Sequence, residues 1–152
     1  MSGIVLDASV AIKWVVDEEG SQDAVRLIDG PQLSAPDLLM PECANILWKK
    51  TRRGELTRDE ALLAIDLLAR ADVELVPTRA LATSATALSL DLDHPAYDCL
   101  YLALAIARDD VFVTADRRLV RLVAERGAPD LQGRAVDLAR AAPEIRPGPS
   151  GG

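Results

Sequence analysis

Gly3-Ile4-Val5-Leu6-Asp7-Ala8-Ser9 opens the chain with a short apolar run that stops on a carboxylate. Three consecutive large aliphatic residues behind a glycine read as a strand buried on both faces. Residues 8–16 continue in a helical pattern, broken by Asp17-Glu18-Glu19-Gly20. The same unit then recurs. Residues 33–35 are a brief strand before a helix that Asp37 caps, that takes Pro41 in its first turn and that Gly54 ends. Thr57-Arg58-Asp59-Glu60 has the form of a capping box for another helix. Strand 73–76 leads to a helix over 79–90, a second helix covers 96–108, and strand 111–113 precedes a helix over 116–126 stopped by Gly127. Residues 135–137 close the series as an edge strand. This alternation predicts an α/β fold, with a central parallel sheet of about five short strands and helices on both faces. Residues 1–140 are expected to form one domain, and 141–152 a flexible Pro/Gly-rich tail.

The 152 residues, 49% hydrophobic and 27% charged, suffice for a core without disulfides or structural zinc. Two cysteines and one histidine exclude a disulfide framework and a thiolate zinc site. Apolar runs fall short of the roughly 20 residues a membrane span needs, and the amino terminus lacks a signal-peptide pattern. A cytoplasmic protein with no membrane association is expected. The net charge of −7 argues against a broad nucleic-acid-binding surface. It leaves room for an enzyme acting on nucleic acid, whose basic residues need only surround the site.

Four acids stand where a neutral or apolar residue is expected: Asp7 after the first strand, Glu42 after Pro41, Asp98 at the head of an apolar helix and Asp116 after strand 111–113. In a parallel sheet, ligands bind beyond the carboxyl ends of the strands, which is where Asp7 and Asp116 fall. Were the four to converge within ~5 Å, each pair would repel by roughly 3 kcal/mol at an effective dielectric near 20. Such a cluster requires protonation, basic partners or a metal. Only three lysines exist, Lys13, Lys49 and Lys50. Carboxylate oxygens select Mg²⁺ or Mn²⁺, and metal-assisted phosphoryl chemistry is the natural use.

Val5-Leu6-Asp7-Ala8-Ser9, Pro41-Glu42, the run from His94 through Tyr97-Asp98-Cys99-Leu100-Tyr101 to Ala105, and Val113-Thr114-Ala115-Asp116-Arg117-Arg118-Leu119 together resemble PIN-domain ribonucleases, nearest to VapC-type toxins. The resemblance spans about residues 3–137. It implies a PIN-like fold, endonucleolytic cleavage of RNA with Mg²⁺ or Mn²⁺, a VapB-type antitoxin that neutralises the enzyme, and a homodimer. Carried over position by position, Asp7, Glu42, Asp98 and Asp116 form the acidic quartet. Asp7, Asp98 and Asp116 are then metal ligands, while Glu42 binds metal or orients the water. Ser9 and Thr114 match hydroxyl positions that support the site. Some relatives carry an aromatic residue shortly after the fourth acid, where this chain has Arg118-Leu119-Val120.

Lys13, Arg117 and Arg118 are the candidate RNA contacts nearest the quartet. Lys49, Lys50, Arg52 and Arg53 end a helix, where cations also favour the dipole. His94, before Pro95, reads as a loop-shaping residue, and Tyr97 and Tyr101 as core residues on one helix face. Two other enzyme classes place an aspartate after a first strand. Haloacid-type phosphotransferases require a second aspartate where Ser9 stands, and receiver domains require a lysine after a late strand, whereas Lys50 is the last lysine. A non-catalytic PIN module that only binds a partner is the alternative reading.

Overall fold

The computed structural model describes residues 3–144, so residues 145–152 of the expected tail lie outside the described residues. Strands β1 (Ile4–Leu6), β2 (Leu33–Pro36), β3 (Glu74–Val76), β4 (Val111–Thr114) and β5 (Ala135–Asp137) form one sheet in the order β3-β2-β1-β4-β5. Every pair is parallel. All three residues of β1 are buried. Neighbouring side chains in a strand point to opposite faces, so both faces at the centre of the sheet are covered.

The helices are α1 (Ala8–Ala11), α2 (Ser21–Arg26), α3 (Leu39–Arg52), α4 (Arg58–Ala69), α5 (Ala82–Leu92), α6 (Ala96–Arg108), α7 (Arg117–Arg126) and α8 (Leu138–Glu144). α6 is the central one. Cys99, Tyr101, Leu102, Ala103, Leu104 and Ala105 are all buried, because the helix lies across β1, β2 and β4 and is itself covered by α5. Tyr101 stacks on Phe112 of β4 with ring centroids 5.8 Å apart. Among the described residues no helix is long and apolar enough to cross a membrane.

Several local expectations hold and several shift. Thr57 and Glu60 form the reciprocal capping box of α4. The helix expected over 8–16 leaves α-geometry after Ala11 and continues as a 3₁₀ turn, Ile12–Trp14. Asp37 does not cap α3. Its carboxylate accepts from the Thr78 backbone N–H at 3.1 Å, and its own N–H donates to the Val76 carbonyl at 2.8 Å. It therefore stitches the end of β2 to the chain leaving β3. Gly127 does end α7, yet with φ −70° it uses no left-handed geometry. A Cβ there would stand 2.4 Å from the Val123 carbonyl oxygen and 2.8 Å from Leu131 Cβ, so close packing demands the glycine. The boundary expected after residue 140 falls inside α8.

The fold rests on α6 more than on any other helix. Leu102→Ala, at a fully buried position, should cost about 2–5 kcal/mol in chemical denaturation. A cost below ~1 kcal/mol would show that α6 is not the centre of the core.

Candidate active site

Asp7 follows β1 directly and is 8% exposed. The bland role for such a residue is to cap the next helix, but its side chain makes no capping bond to α1. Its two oxygens are held by hydroxyls. Ser9 Oγ donates to Oδ1 at 2.5 Å and Thr114 Oγ1 donates to Oδ2 at 2.6 Å. Each hydroxyl has one proton, and both are directed to Asp7. The 3.4 Å approach of Ser9 Oγ to Thr114 Oγ1 is therefore a contact and not a donation. As acceptors, Ser9 Oγ takes the Ala115 N–H and Thr114 Oγ1 the Asp116 N–H, both at 3.0 Å. This network ties the end of β1 to the end of β4 and fixes the Asp7 carboxylate plane.

Asp98 lies in the first turn of α6 and meets His94 across one helical turn, His94 Nε2 to Asp98 Oδ2 at 2.7 Å. His94 is itself fastened, since Ser89 Oγ donates to its carbonyl at 2.5 Å and its N–H donates to the Ser89 carbonyl at 3.1 Å. Glu42, in the first turn of α3, accepts the Tyr101 hydroxyl on Oε1 at 2.5 Å. Sequence reasoning assigned neither partner to the site. The spacing of His94 four residues before Asp98 on the approach to one helix was a usable signal; the contact from Tyr101 to Glu42 across 59 positions left none.

The charge of Asp98 reaches both Asp7 and Glu42. Burial, followed by the Asp98 charge, pushes the Asp7 carboxyl from 3.8 up to about 6, although the Ser9 and Thr114 hydrogen bonds pull it down. Glu42 is raised for the same two reasons, burial and Asp98, against the Tyr101 hydrogen bond. Burial, then Glu42 and Asp7, pushes the Cys43 thiol up to about 12. Burial, then Asp98, pushes Cys99 up to about 11. Neither cysteine offers a thiolate, so the donors here are carboxylate oxygens.

Asp116 stands somewhat apart. It is exposed, and it does not contribute to the raised state of Asp7 or Glu42. Its Oδ1 caps α7 by accepting from the N–H groups of Arg118 and Leu119 at 3.0 and 3.2 Å. Here capping and a place at the site coexist, since Asp116 and Ser9 border the same groove. Of the expected RNA contacts, Lys13 is committed internally. Its ammonium donates to Glu18 Oε1 at 3.1 Å and to the Glu19 carbonyl at 2.7 Å, and its side chain is 12% exposed. Arg117 pairs with Asp137 at 3.3 Å, and Arg118 is exposed.

Hard oxygen donors with raised proton affinity are the chemistry a divalent cation would meet. Among the described residues, however, no three acidic, histidine or cysteine side chains close into a ligand set. The two observations agree. Charges couple across several ångströms, whereas ligands must all reach about 2.0–2.6 Å from one point. His94 engages Asp98 and Tyr101 engages Glu42, while the charge of Asp98 is felt at both Asp7 and Glu42.

In the cation-free protein, Asp7 holds a proton that the unfolded chain has already released between about pH 4 and about 6. The stability this gives is full below about pH 4 and is lost as pH rises through about 6. The melting temperature should fall across that window by an amount that disappears in Asp7→Asn. Parallel pH profiles for the two proteins would place Asp7 in an ordinary environment.

The family profile described as the PIN domain matches residues 4–125. Ribonuclease VapC3 of Pyrobaculum aerophilum is 36% identical over 119 residues, which cover 76% of this chain and 91% of that protein. The crystal structure of PAE2754 from Pyrobaculum aerophilum superposes with a TM-score of 0.68 at 19% identity, over 95% of this chain and 89% of that one. The structure of VapBC2 from Rickettsia felis bound to a DNA fragment from their promoter gives 0.62 at 13% identity, over 88% and 97%. At these identities the two structures speak for the fold alone. A five-stranded parallel sheet with acids gathered at its carboxyl edge, the profile match and the 36% relative lead to one conclusion: the chain belongs to the PIN-domain family, on its VapC-type branch.

Proposed function

We propose that this protein is a toxin-type endoribonuclease that hydrolyses RNA phosphodiester bonds at Asp7, Glu42 and Asp98, with Asp116 at the rim, and that it works with Mg²⁺ or Mn²⁺. The observation that carries this reading is the Asp7 carboxylate, buried, oriented on both oxygens and pressed by the charge of Asp98. A divalent ion held by Asp7 and Asp98, with Asp116 completing the donors, would polarise the phosphoryl oxygens and acidify a water. The protein supplies the geometry. Ser9 and Thr114 hold Asp7 in one plane, and His94 holds Asp98. The Tyr101 hydroxyl engages Glu42 Oε1, which leaves Oε2 to orient the attacking water and take its proton. The raised proton affinity of Glu42 suits that task.

RNA cleavage with Mn²⁺ or Mg²⁺ tests the assignment. Asp98→Asn should be inactive while remaining folded, and chelation should abolish wild-type cleavage; equal cleavage by the variant would sink the site. Tyr101→Phe and His94→Ala should each lose about 10- to 100-fold, the usual cost of removing a group that orients a ligand. Wild-type rates in both would leave these contacts without a part in the reaction.

A VapB-type antitoxin and a homodimer, both cytoplasmic, belong to the same reading. Trp48 on α3 and Leu62, Leu63 and Leu67 on α4 are exposed large apolar residues, and they give a protein partner area to cover. An acidic pocket suits an antitoxin that inserts an arginine. Reversing that arginine's charge should restore cleavage, and unchanged inhibition would place the block elsewhere. Light scattering would test the dimer.

A further inference from the structure

Seven cations lie near the site in sequence, and the fold gives four of them a partner. Glu18 draws in both Lys13 and Lys50, at 3.1 and 2.8 Å, and Lys50 also approaches Glu55 at 3.8 Å. Arg117 pairs with Asp137. The Arg52 guanidinium lies 5.5 Å from the centroid of the Trp48 ring, on the side of α3 that carries the apolar patch. Lys49, Arg53 and Arg118 have no ion-pair partner among the described residues. Two of these three, Lys49 and Arg53, border the groove of about 340 Å³ that also contains Ser9, Asp116 and the Glu18 cluster with Lys13 and Lys50.

A second groove of about 330 Å³ is bordered by Glu42, Asn45 and Tyr97. The two grooves share Ile46 and Lys49. Glu42, Asn45, Ile46, Lys49 and Arg53 recur at spacings of three and four, so they form one stripe along α3. The grooves are thus two halves of a single track along that stripe, with acids on both sides of Lys49. Tyr97, 66% exposed, presents an aromatic face at one end. Arg53 stands one helical turn beyond Lys49 at the other, about 6 Å along the axis, comparable to the step between successive phosphates in a single strand.

We propose that this track positions the RNA strand that is cleaved, with Lys49 holding the phosphate next to the one cleaved, Arg53 the following phosphate, and Tyr97 stacking on a base at the opposite end. The assignment rests on the ribonuclease reading above and deepens it, naming the groups that position the substrate. A duplex buries its base faces and offers Tyr97 nothing to stack on. Lys13 is held by Glu18 and the Glu19 carbonyl, so the phosphate-holding role falls to Lys49.

Binding of a fluorescent single-stranded RNA, measured by anisotropy in EDTA across a salt series, separates the possibilities without any cleavage. Lys49→Ala and Arg53→Ala should each weaken binding and each reduce the slope of log affinity against log salt by about 0.7. Tyr97→Ala should weaken binding by ~5-fold or more with the slope unchanged. Lys49→Arg should restore the slope. Arg52→Ala is the control, with the same charge change at the same helix end but off the track, and it should bind as wild type. In Mn²⁺ the Lys49→Ala defect should appear mainly in KM, with circular dichroism unchanged. If the wild type cleaves RNA while Lys49→Ala and Arg53→Ala bind normally, or Arg52→Ala is equally impaired, the track is wrong and the ribonuclease reading stands. Equal affinity for a duplex of the same length overturns the stacking role of Tyr97. A wild type that binds single strands through Lys49 but never cleaves them sinks the ribonuclease reading and leaves the track.

Discussion

Asp7 carries its carboxylate at the end of β1 between two buried neighbours, Leu6 and Ala8, and inside the protein that carboxylate meets two hydroxyl protons from Ser9 and Thr114. Hydroxyl donors stabilise an anion but do not neutralise it, and the carboxyl remains raised to about 6. Keeping even this partial solution constrains the fold around it. Thr114 reaches Asp7 because β4 pairs with β1 in the register that sets Val113 opposite Leu6. A slip of one residue would send Thr114 to the other face of the sheet and strip one oxygen of its donor. Ala115 and Asp116 then continue from the same strand end, with their N–H groups on the two hydroxyls. The position of Asp116 at the site thus follows from the hydrogen bonding of Asp7.

An acid at a strand end is not enough by itself to make a site. Asp110 is as buried as Asp7 and lies at the opposite end of the same two strands. Its Oδ1 accepts the Gly3 backbone N–H at 2.7 Å, and Arg134 donates to its carbonyl at 2.9 Å. It joins the start of β1 to the start of β4. The difference between the two ends is the company each carboxylate keeps. Asp110 is spent on tying two strand starts together, whereas Asp7 meets two hydroxyl donors and the charge of Asp98. That unresolved repulsion, at the edge where a parallel sheet presents its ligands, separates a structural acid from a functional one.

What was legible in the sequence was whatever depends on neighbours along the chain. The five strands, the α4 capping box and the strand-end placement of Asp7 and Thr114 follow from runs, caps and alternation. The reading failed where a residue's partner is distant or where one residue has two uses. Asp37 has cap chemistry but spends it on Thr78, 41 positions away. Tyr101 reads as core and is core, stacked on Phe112, while its hydroxyl serves Glu42. A buried tyrosine carries an apolar body and a polar tip, and periodicity reports only the body. Lys13 sits next to the site in sequence and faces Glu18 in space.

Glu18 also shows why a net charge of −7 is a poor guide to what this protein can bind. Against the upward push of its own burial, hydrogen bonds from Lys50 and Lys13 hold its carboxyl below the usual range. That pairing fastens the 3₁₀ turn after α1 to the end of α3. It also ties up two of the four cations that line the groove and leaves Lys49 and Arg53 as its groups without an ion-pair partner among the described residues. At physiological ionic strength, charges farther than about 8 Å are largely screened, so a strand lying along α3 responds to this local pair and not to the sum over the surface. An acidic protein can therefore present a basic track, provided its internal acids select which cations remain free. The structure makes that selection through Glu18, a residue outside the quartet.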